Sequence, residues 1–321
     1  MKHFPCVALP NEDLSARTTM RVGGRAEWLL EPKSPDELCR ALVEAREQGF
    51  PVRMLGGGAN LIVQDGVLPG VVIATDCLDR VFRPEVEAKG DPYADELPTS
   101  RVAPSSREED PRLVAWCGAS LPGLVRKASE LGWAGLEGLV GVPGHLGGGV
   151  MMNAGGRWGD LWDVVESVRI LTMDGEVKDL ARADCDPQYR SGNLGEVVVV
   201  AAVLRLTPEN PLVVKERARE FLLEKNRVQP VTESSSGCIF KNPNPELSDG
   251  RSAGKLIDDL GLKGLARGAA VVSERHGNFI VNRGGATAAD VLGLIDEVRE
   301  RVADATGIRL GIEVRRWLAE E

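Results

Sequence analysis

Three consecutive glycines, Gly56-Gly57-Gly58, lie between Val52, Met54 and Leu55 on one side and Leu61-Ile62-Val63 on the other. Backbone without Cβ atoms takes positive φ at little cost and lets a neighbour come close. Successive N–H groups in such a turn form a concave nest suited to an anion. The setting is strand, turn, strand. A Rossmann fingerprint needs G-x-G-x-x-G running from a strand into a helix. Here the third glycine adjoins the second, and no helical pattern follows. On the glycines alone, a plain tight turn is the simpler account.

A second run changes that balance. Residues 138–149 contain Gly138, Gly141, Gly144, Gly147, Gly148 and Gly149, and Asn153-Ala154-Gly155-Gly156 lies just beyond. Two such runs suggest a long ligand pinned at two places. Neither ends in the G-K-[ST] of a P-loop, so nucleotide hydrolysis is not expected.

The 321 residues suggest about two domains. A net charge of −9, from 39 Lys and Arg against 48 Asp and Glu, lacks the cationic field of a nucleic-acid binder. An anionic substrate would need a local basic pocket. No apolar stretch reaches the roughly 18 residues of a membrane span. The first residues lack the apolar core of a signal peptide. Six cysteines without C-x-x-C pairing fit free thiols in a reducing cytoplasm. Three dispersed histidines give no expectation of a metal site.

Local signals place the elements. Ser34-Pro35-Asp36-Glu37 opens a helix as a capping box, with Leu38, Leu42 and Ala45 on its apolar face. Ser120 caps a helix closed by Gly132. Residues 165–173, Asp174-Gly175 and Val177 read as a hairpin, and 197–206 as a buried strand. Thr287 opens a helix that ends at Gly307. Residues 84–111 lose apolar periodicity and gain Pro and charge, as a surface insertion would.

Residues 11–19 run into Arg21-Val22-Gly23-Gly24. Then come Gly56-Gly57-Gly58-Ala59-Asn60, Val142-Pro143-Gly144 through Gly147-Gly148, Asn153-Ala154-Gly155 and Tyr189-Arg190-Ser191. Gly237-Cys238-Ile239-Phe240-Lys241-Asn242-Pro243, Ala253-Gly254-Lys255, His276-Gly277-Asn278-Phe279 and Glu313-Val314-Arg315 follow. Each is weak alone. Together, in this order over residues 11–316, they resemble the UDP-N-acetylenolpyruvoylglucosamine reductases, which serve peptidoglycan precursor synthesis.

The resemblance implies an α+β fold. Two subdomains, 1–80 and 81–208, would form an FAD-binding fold of the vanillyl-alcohol-oxidase (PCMH) type, and 209–321 an α+β substrate domain. The chain runs almost straight from Ser191 to Val197, which matches the family's shorter, second type. FAD would be held by Gly56, Gly57, Gly58, Ala59, Asn60, Val142, Pro143, Gly144, Gly147, Gly148 and Asn153.

The resemblance also implies catalytic roles. Cys238 stands where serine usually donates a proton to the substrate enolate, and a thiol gives up its proton more readily than an alcohol. Arg190 and Glu313 would stabilise that enolate, Glu313 either protonated or through a hydrogen bond. Tyr189, Lys241, Asn242, Lys255 and Asn278 would reach the UDP-sugar or the NADPH that supplies hydride; Lys225 or Arg227 could join them. His145 stands where a small hydroxyl residue is common. Without the resemblance, Cys238 reads as a structural thiol, Arg190 and Glu313 as surface residues and the lysines as solvated. A different FAD oxidoreductase on the same scaffold and a flavin-binding regulatory module are the competing expectations. Nothing suggests a nucleic-acid, membrane or obligate protein partner.

Overall fold

The structure is a computed structural model that describes residues 4–84, 93 and 110–319. Its residues gather into two compact units. One comprises Met1–Ala8, Leu29–Gly57 and Val71–Glu224; the other Leu9–Trp28, Gly58–Gly70 and Lys225–Glu321.

The first unit is built on a five-stranded antiparallel sheet. Its order is Val177–Ala181, Val165–Thr172, Val197–Arg205, Arg112–Trp116 and Val81–Phe82. Val197–Arg205 lies at the centre, and residues 198–204 are all buried. Both faces of this strand are covered, which is why its sequence is a continuous apolar run rather than an alternation. Ala202 and Leu204 face a core shared with the helix Leu121–Leu131; Ala201 and Val203 pack with Phe82, Tyr93 and Val114. The hairpin closes through a three-residue loop, with Gly175 at φ +94° donating to Thr172 O at 3.1 Å. A left-handed residue at that point is the usual requirement of such loops.

The parallel pair Val52–Leu55 and 71–74 precedes this sheet, and the helix Pro35–Glu47 precedes the pair. Ser34 caps the helix by accepting the Glu37 N–H at 3.2 Å. The Glu37 carboxylate accepts from Lys33 N–H at 2.8 Å and not from Ser34, so only half of the predicted capping box forms.

The predicted surface insertion lies outside the described residues except at 84, 93, 110 and 111. Tyr93 is only 7% exposed, with Arg169 4.3 Å over its ring.

In the second unit, Ser235–Cys238, Phe279–Asn282, Ala270–Val272 and Ala266–Arg267 form an antiparallel sheet in that order. The helices Ala253–Asp259 and Ala288–Thr306 supply Leu256, Ile257, Leu294 and Val298 to its core. The longer helix has a complete capping box at Thr287 and Asp290 and ends on Gly307 at φ +73°. Leu61–Val63 pairs in parallel with Arg315–Trp317. The helix Pro211–Val228 starts in the first unit, and its last turn, from Lys225, belongs to the second. Among the described residues, no helix is long and apolar enough to cross a membrane. The class is α+β, as the sequence predicts.

Candidate functional site

In the first unit the two glycine runs meet. A Cβ on Gly57 would lie 2.8 Å from Gly144 Cα, closer than folded proteins permit, and 3.1 Å from His145 Cδ2. Gly144 has φ +110°, and its carbonyl accepts from Leu121 N–H at 2.9 Å. Val142 and Pro143 lead into it; the Val142 N–H is held by Leu139 O at 2.9 Å. A Cβ on Gly147 would press on Cys117, whereas Gly148 faces open space.

His145 begins the helix Leu146–Met152. Its Nδ1 is buried without a hydrogen-bond partner, and its Nε2 stands 4.0 Å from Asp76 Oδ1. Burial depresses its pKa below the usual imidazole value, against the opposing pull of Asp76 and Asp79.

The same helix ends on Asn153 at φ +44°. Asn153 donates from Nδ2 to Gln188 O at 3.2 Å, and its Oδ1 accepts from Trp162 N–H at 3.3 Å. That anchors a tight turn in which Gln188 and Ser191 exchange backbone hydrogen bonds at 2.8 and 3.1 Å. Tyr189 and Arg190 occupy its tip. Tyr189 is exposed, with the Arg190 guanidinium 4.8 Å over its ring. Arg190 has φ +58°, a left-handed conformation that an L side chain adopts only under constraint. Burial raises the Asp160 pKa, and the charge of Arg190 opposes that shift.

In the second unit, Cys238 sits beyond a β-bulge. Ser235 pairs with Val281 and Cys238 with Phe279, so three steps on one strand oppose two on the other. Gly237, at φ +78°, absorbs the extra residue. Bulges re-aim side chains in this way beside functional sites. Past Cys238 the chain pairs with the C-terminal segment. Glu313 N–H donates to Ile239 O at 2.8 Å, Phe240 bridges Ile312, and Lys241 N–H donates to Gly311 O at 2.8 Å. Asn60 joins the ladder, since its Nδ2 donates to Glu313 O at 3.4 Å and its carbonyl accepts from Arg315 N–H at 3.0 Å. The ladder thus brings Asn60, Ile239 and Glu313 onto neighbouring segments, with Cys238 one residue along.

The remaining candidates divide by surroundings. Asn278 is 4% exposed and holds one residue by both ends of its amide: Oδ1 accepts from Phe240 N–H at 2.9 Å and Nδ2 donates to Phe240 O at 2.7 Å. Asn242 accepts from Ala253 N–H at 3.1 Å, which fixes the start of a helix. Lys255 is exposed and pairs with Asp259, the first cause of its raised pKa. Lys241 is exposed. Lys225 and Arg227 separate cleanly: Arg227 is exposed, whereas Lys225 is 7% exposed and burial pushes its pKa down to about 8. The signal was present in the sequence. Val214, Ala218 and Phe221–Leu222 mark one helical stripe, and one further turn reaches 225, not 227.

Residues 229–317 match the family model described as UDP-N-acetylenolpyruvoylglucosamine reductase, C-terminal domain. Residues 26–90 and 99–181 match the FAD binding domain model. A UDP-N-acetylenolpyruvoylglucosamine reductase of Moorella thermoacetica is 39% identical over 310 residues, covering 96% of this chain and 93% of that protein. One of Deinococcus radiodurans is 39% identical over 310 residues, covering 95% and 94%. The crystal structure of UDP-N-acetylenolpyruvylglucosamine reductase from Thermus caldophilus superposes with a TM-score of 0.74 at 34% identity, covering 97% of this chain and 98% of that one.

Proposed function

The chain belongs to the UDP-N-acetylenolpyruvoylglucosamine reductase family, and from that premise we propose that it is an FAD-dependent, NADPH-driven reductase forming UDP-N-acetylmuramate. The observation that most supports the reading is the backbone ladder from Ile239 to Glu313, one residue from Cys238. Residues 1–80 and 81–208 would serve the flavin and 209–321 the UDP-sugar, in the cytoplasm, with no protein partner required.

The first unit fits FAD on two counts. Gly57 lets the two glycine runs pack backbone to backbone, and His145 Nδ1 is a buried polar atom without a partner. Gly56, Gly57, Gly58, Ala59, Asn60, Val142, Pro143, Gly144, Gly147, Gly148 and Asn153 would hold it. FAD bound there would supply the redox chemistry, a hydride relay from NADPH to C3 of the enolpyruvyl group. The chain's own residues do the rest. Negative charge that develops on C2 and the substrate carboxylate is held by the permanent charge of Arg190 and by Glu313. Cys238 gives its thiol proton to C2. Lys225 and Lys241 offer positive charge to the diphosphate, and Tyr189 borders the substrate. Asn278 fixes the backbone at Phe240 and Asn242 that at Ala253, and both, with the exposed Lys255, would border the UDP-sugar or NADPH.

An absorbance spectrum of the pure protein tests the reading. It predicts a flavin band that bleaches on anaerobic NADPH and returns on addition of enolpyruvyl-UDP-GlcNAc. A band that bleaches but does not return with substrate would defeat it. Gly57→Val forces a branched side chain against Gly144 and His145. It should yield folded, colourless protein, and stoichiometric flavin in that variant would remove this turn from the site.

A pH dependence also follows. Burial depresses Lys225, so its charge is nearly complete a pH unit below its pKa of about 8, is half lost there and is gone above it. Binding of UDP to the flavin-loaded protein should weaken about tenfold between roughly pH 7 and pH 9, and Lys225→Met should flatten that leg. An unchanged profile in the methionine variant would place the diphosphate elsewhere.

A further inference from the structure

We infer that Thr19 is a positioning residue that ties Gly58 of the glycine turn to the strand bearing Cys238, and so fixes where that strand presents the proton donor. The inference rests on the function proposed above. It starts from residues 14–22, a stretch that matched the family motifs but received no role. Leu14, Thr18, Met20 and Val22 are all buried there. Thr18 Oγ1 donates to Val22 O at 3.0 Å, which closes the segment on itself, and Asn282 Nδ2 donates to Met20 O at 3.1 Å.

Gly58 rests directly on this segment. A Cβ there would lie 2.1 Å from Arg17 O and 2.8 Å from Thr18 Cα. Thr19 makes the connection outward in both directions. Its N–H donates to Gly58 O at 3.1 Å. Its hydroxyl has three carbonyls in reach: Ser235 O at 2.7 Å, Gly58 O at 3.4 Å and Ala59 O at 3.5 Å. A hydroxyl carries one proton, and the shortest geometry takes it. That partner, Ser235, is 216 residues away in sequence and opens the strand that bulges at Gly237 to aim Cys238. A β-branched side chain is stiff at χ1, so the backbone held by Gly58 also directs the hydroxyl at Ser235.

Valine keeps the shape of threonine and removes this donor. The start of the donor strand then loses its tie to the turn. Misplacement of a reacting group by about 1 Å costs up to roughly a hundredfold in rate.

The test uses flavin-loaded parent, Thr19→Val and Thr19→Ser proteins. Each is reduced anaerobically with dithionite and mixed with enolpyruvyl-UDP-GlcNAc in a stopped-flow instrument. Amide hydrogen exchange over residues 234–240 and the FAD dissociation constant of the apoprotein are measured beside it. Thr19→Val should reoxidise about ten- to a hundredfold more slowly, with the dissociation constant within about threefold of the parent. Its 234–240 peptide should exchange about tenfold faster. Thr19→Ser, which keeps the hydroxyl, should recover most of the rate and protection.

Three results would overturn the inference. One is parent-like reoxidation and exchange in Thr19→Val. Another is an equal loss in Thr19→Ser, since the hydroxyl would then be irrelevant. The third is a Thr19→Val protein whose flavin affinity collapses together with its rate, which marks a general role in folding. If reduced parent enzyme is not reoxidised by the substrate, the proposed function fails instead, and the exchange measurement still decides the tether.

Discussion

Cys238→Ala should leave flavin reduction by NADPH within about twofold of the parent and slow reoxidation by enolpyruvyl-UDP-GlcNAc by about a hundredfold or more, the usual size of a general-acid contribution. The separation arises because the enolate needs its proton only after hydride has left the flavin. The bulge at Gly237 and the pairing of Ile239 with Glu313 hold Cys238 on the C-terminal ladder. Loss of its thiol changes neither the glycine contact at Gly57 nor the turn at Arg190, which belong to the other unit. Cys238→Ser should retain far more activity than alanine, because a hydroxyl can occupy the same position as a slower donor. Stopped-flow absorbance at the flavin maximum follows both steps. Reoxidation of Cys238→Ala at the parent rate would show that the proton comes from elsewhere. Loss of both half-reactions together would show that the cysteine supports the fold.

Arg190 carries the second large effect, and here activity and stability should move in opposite directions. A guanidinium that holds developing negative charge is worth about a hundred- to a thousandfold in turnover when removed, by analogy with oxyanion donors. Both Arg190→Ala and Arg190→Gly should lose about that much. Their stabilities should differ. At φ +58° a residue with a Cβ is strained by about 1–2 kcal/mol, and glycine is not. Glycine gives back part of that through its freer unfolded chain, about 0.5–1 kcal/mol. The glycine variant should therefore unfold later than the alanine variant by up to about 1 kcal/mol, and no earlier than the parent. Thermal unfolding at saturating FAD measures the first difference; steady-state turnover measures the second. A glycine variant less stable than alanine would mean that the turn relaxes out of its left-handed conformation. Parent-like turnover in either would remove Arg190 from the chemistry.

Several features were legible because they depend on neighbours a few residues away. Ser120 and Thr287 each accept an N–H three residues on, and Gly132 and Gly307 leave their helices with positive φ. Such caps need no tertiary contact. The strand Val197–Arg205 was legible for a different reason: only burial on both faces tolerates so continuous an apolar run. The capping box at Ser34 shows where local logic stops. Its motif is complete, yet the Glu37 carboxylate takes the Lys33 N–H instead.

The sequence by itself determined the α+β class, the helix ends, the central strand and, through its ordered motifs, the family. Each is written in short-range hydrogen bonding, apolar periodicity or the accumulated identity of many positions. Only the tertiary structure decided what surrounds each candidate residue. Asn278 is buried, and its amide accepts from and donates to Phe240 across 38 residues of sequence. Lys225 and Arg227 are near neighbours in sequence, and the face of the helix that is covered makes one buried with a depressed pKa and leaves the other in solvent. Thr19 carries no local mark at all, because its partner Ser235 is 216 residues away. Contacts of that separation exist only after the chain has closed, and what surrounds a side chain then sets its charge, its partners and its reach.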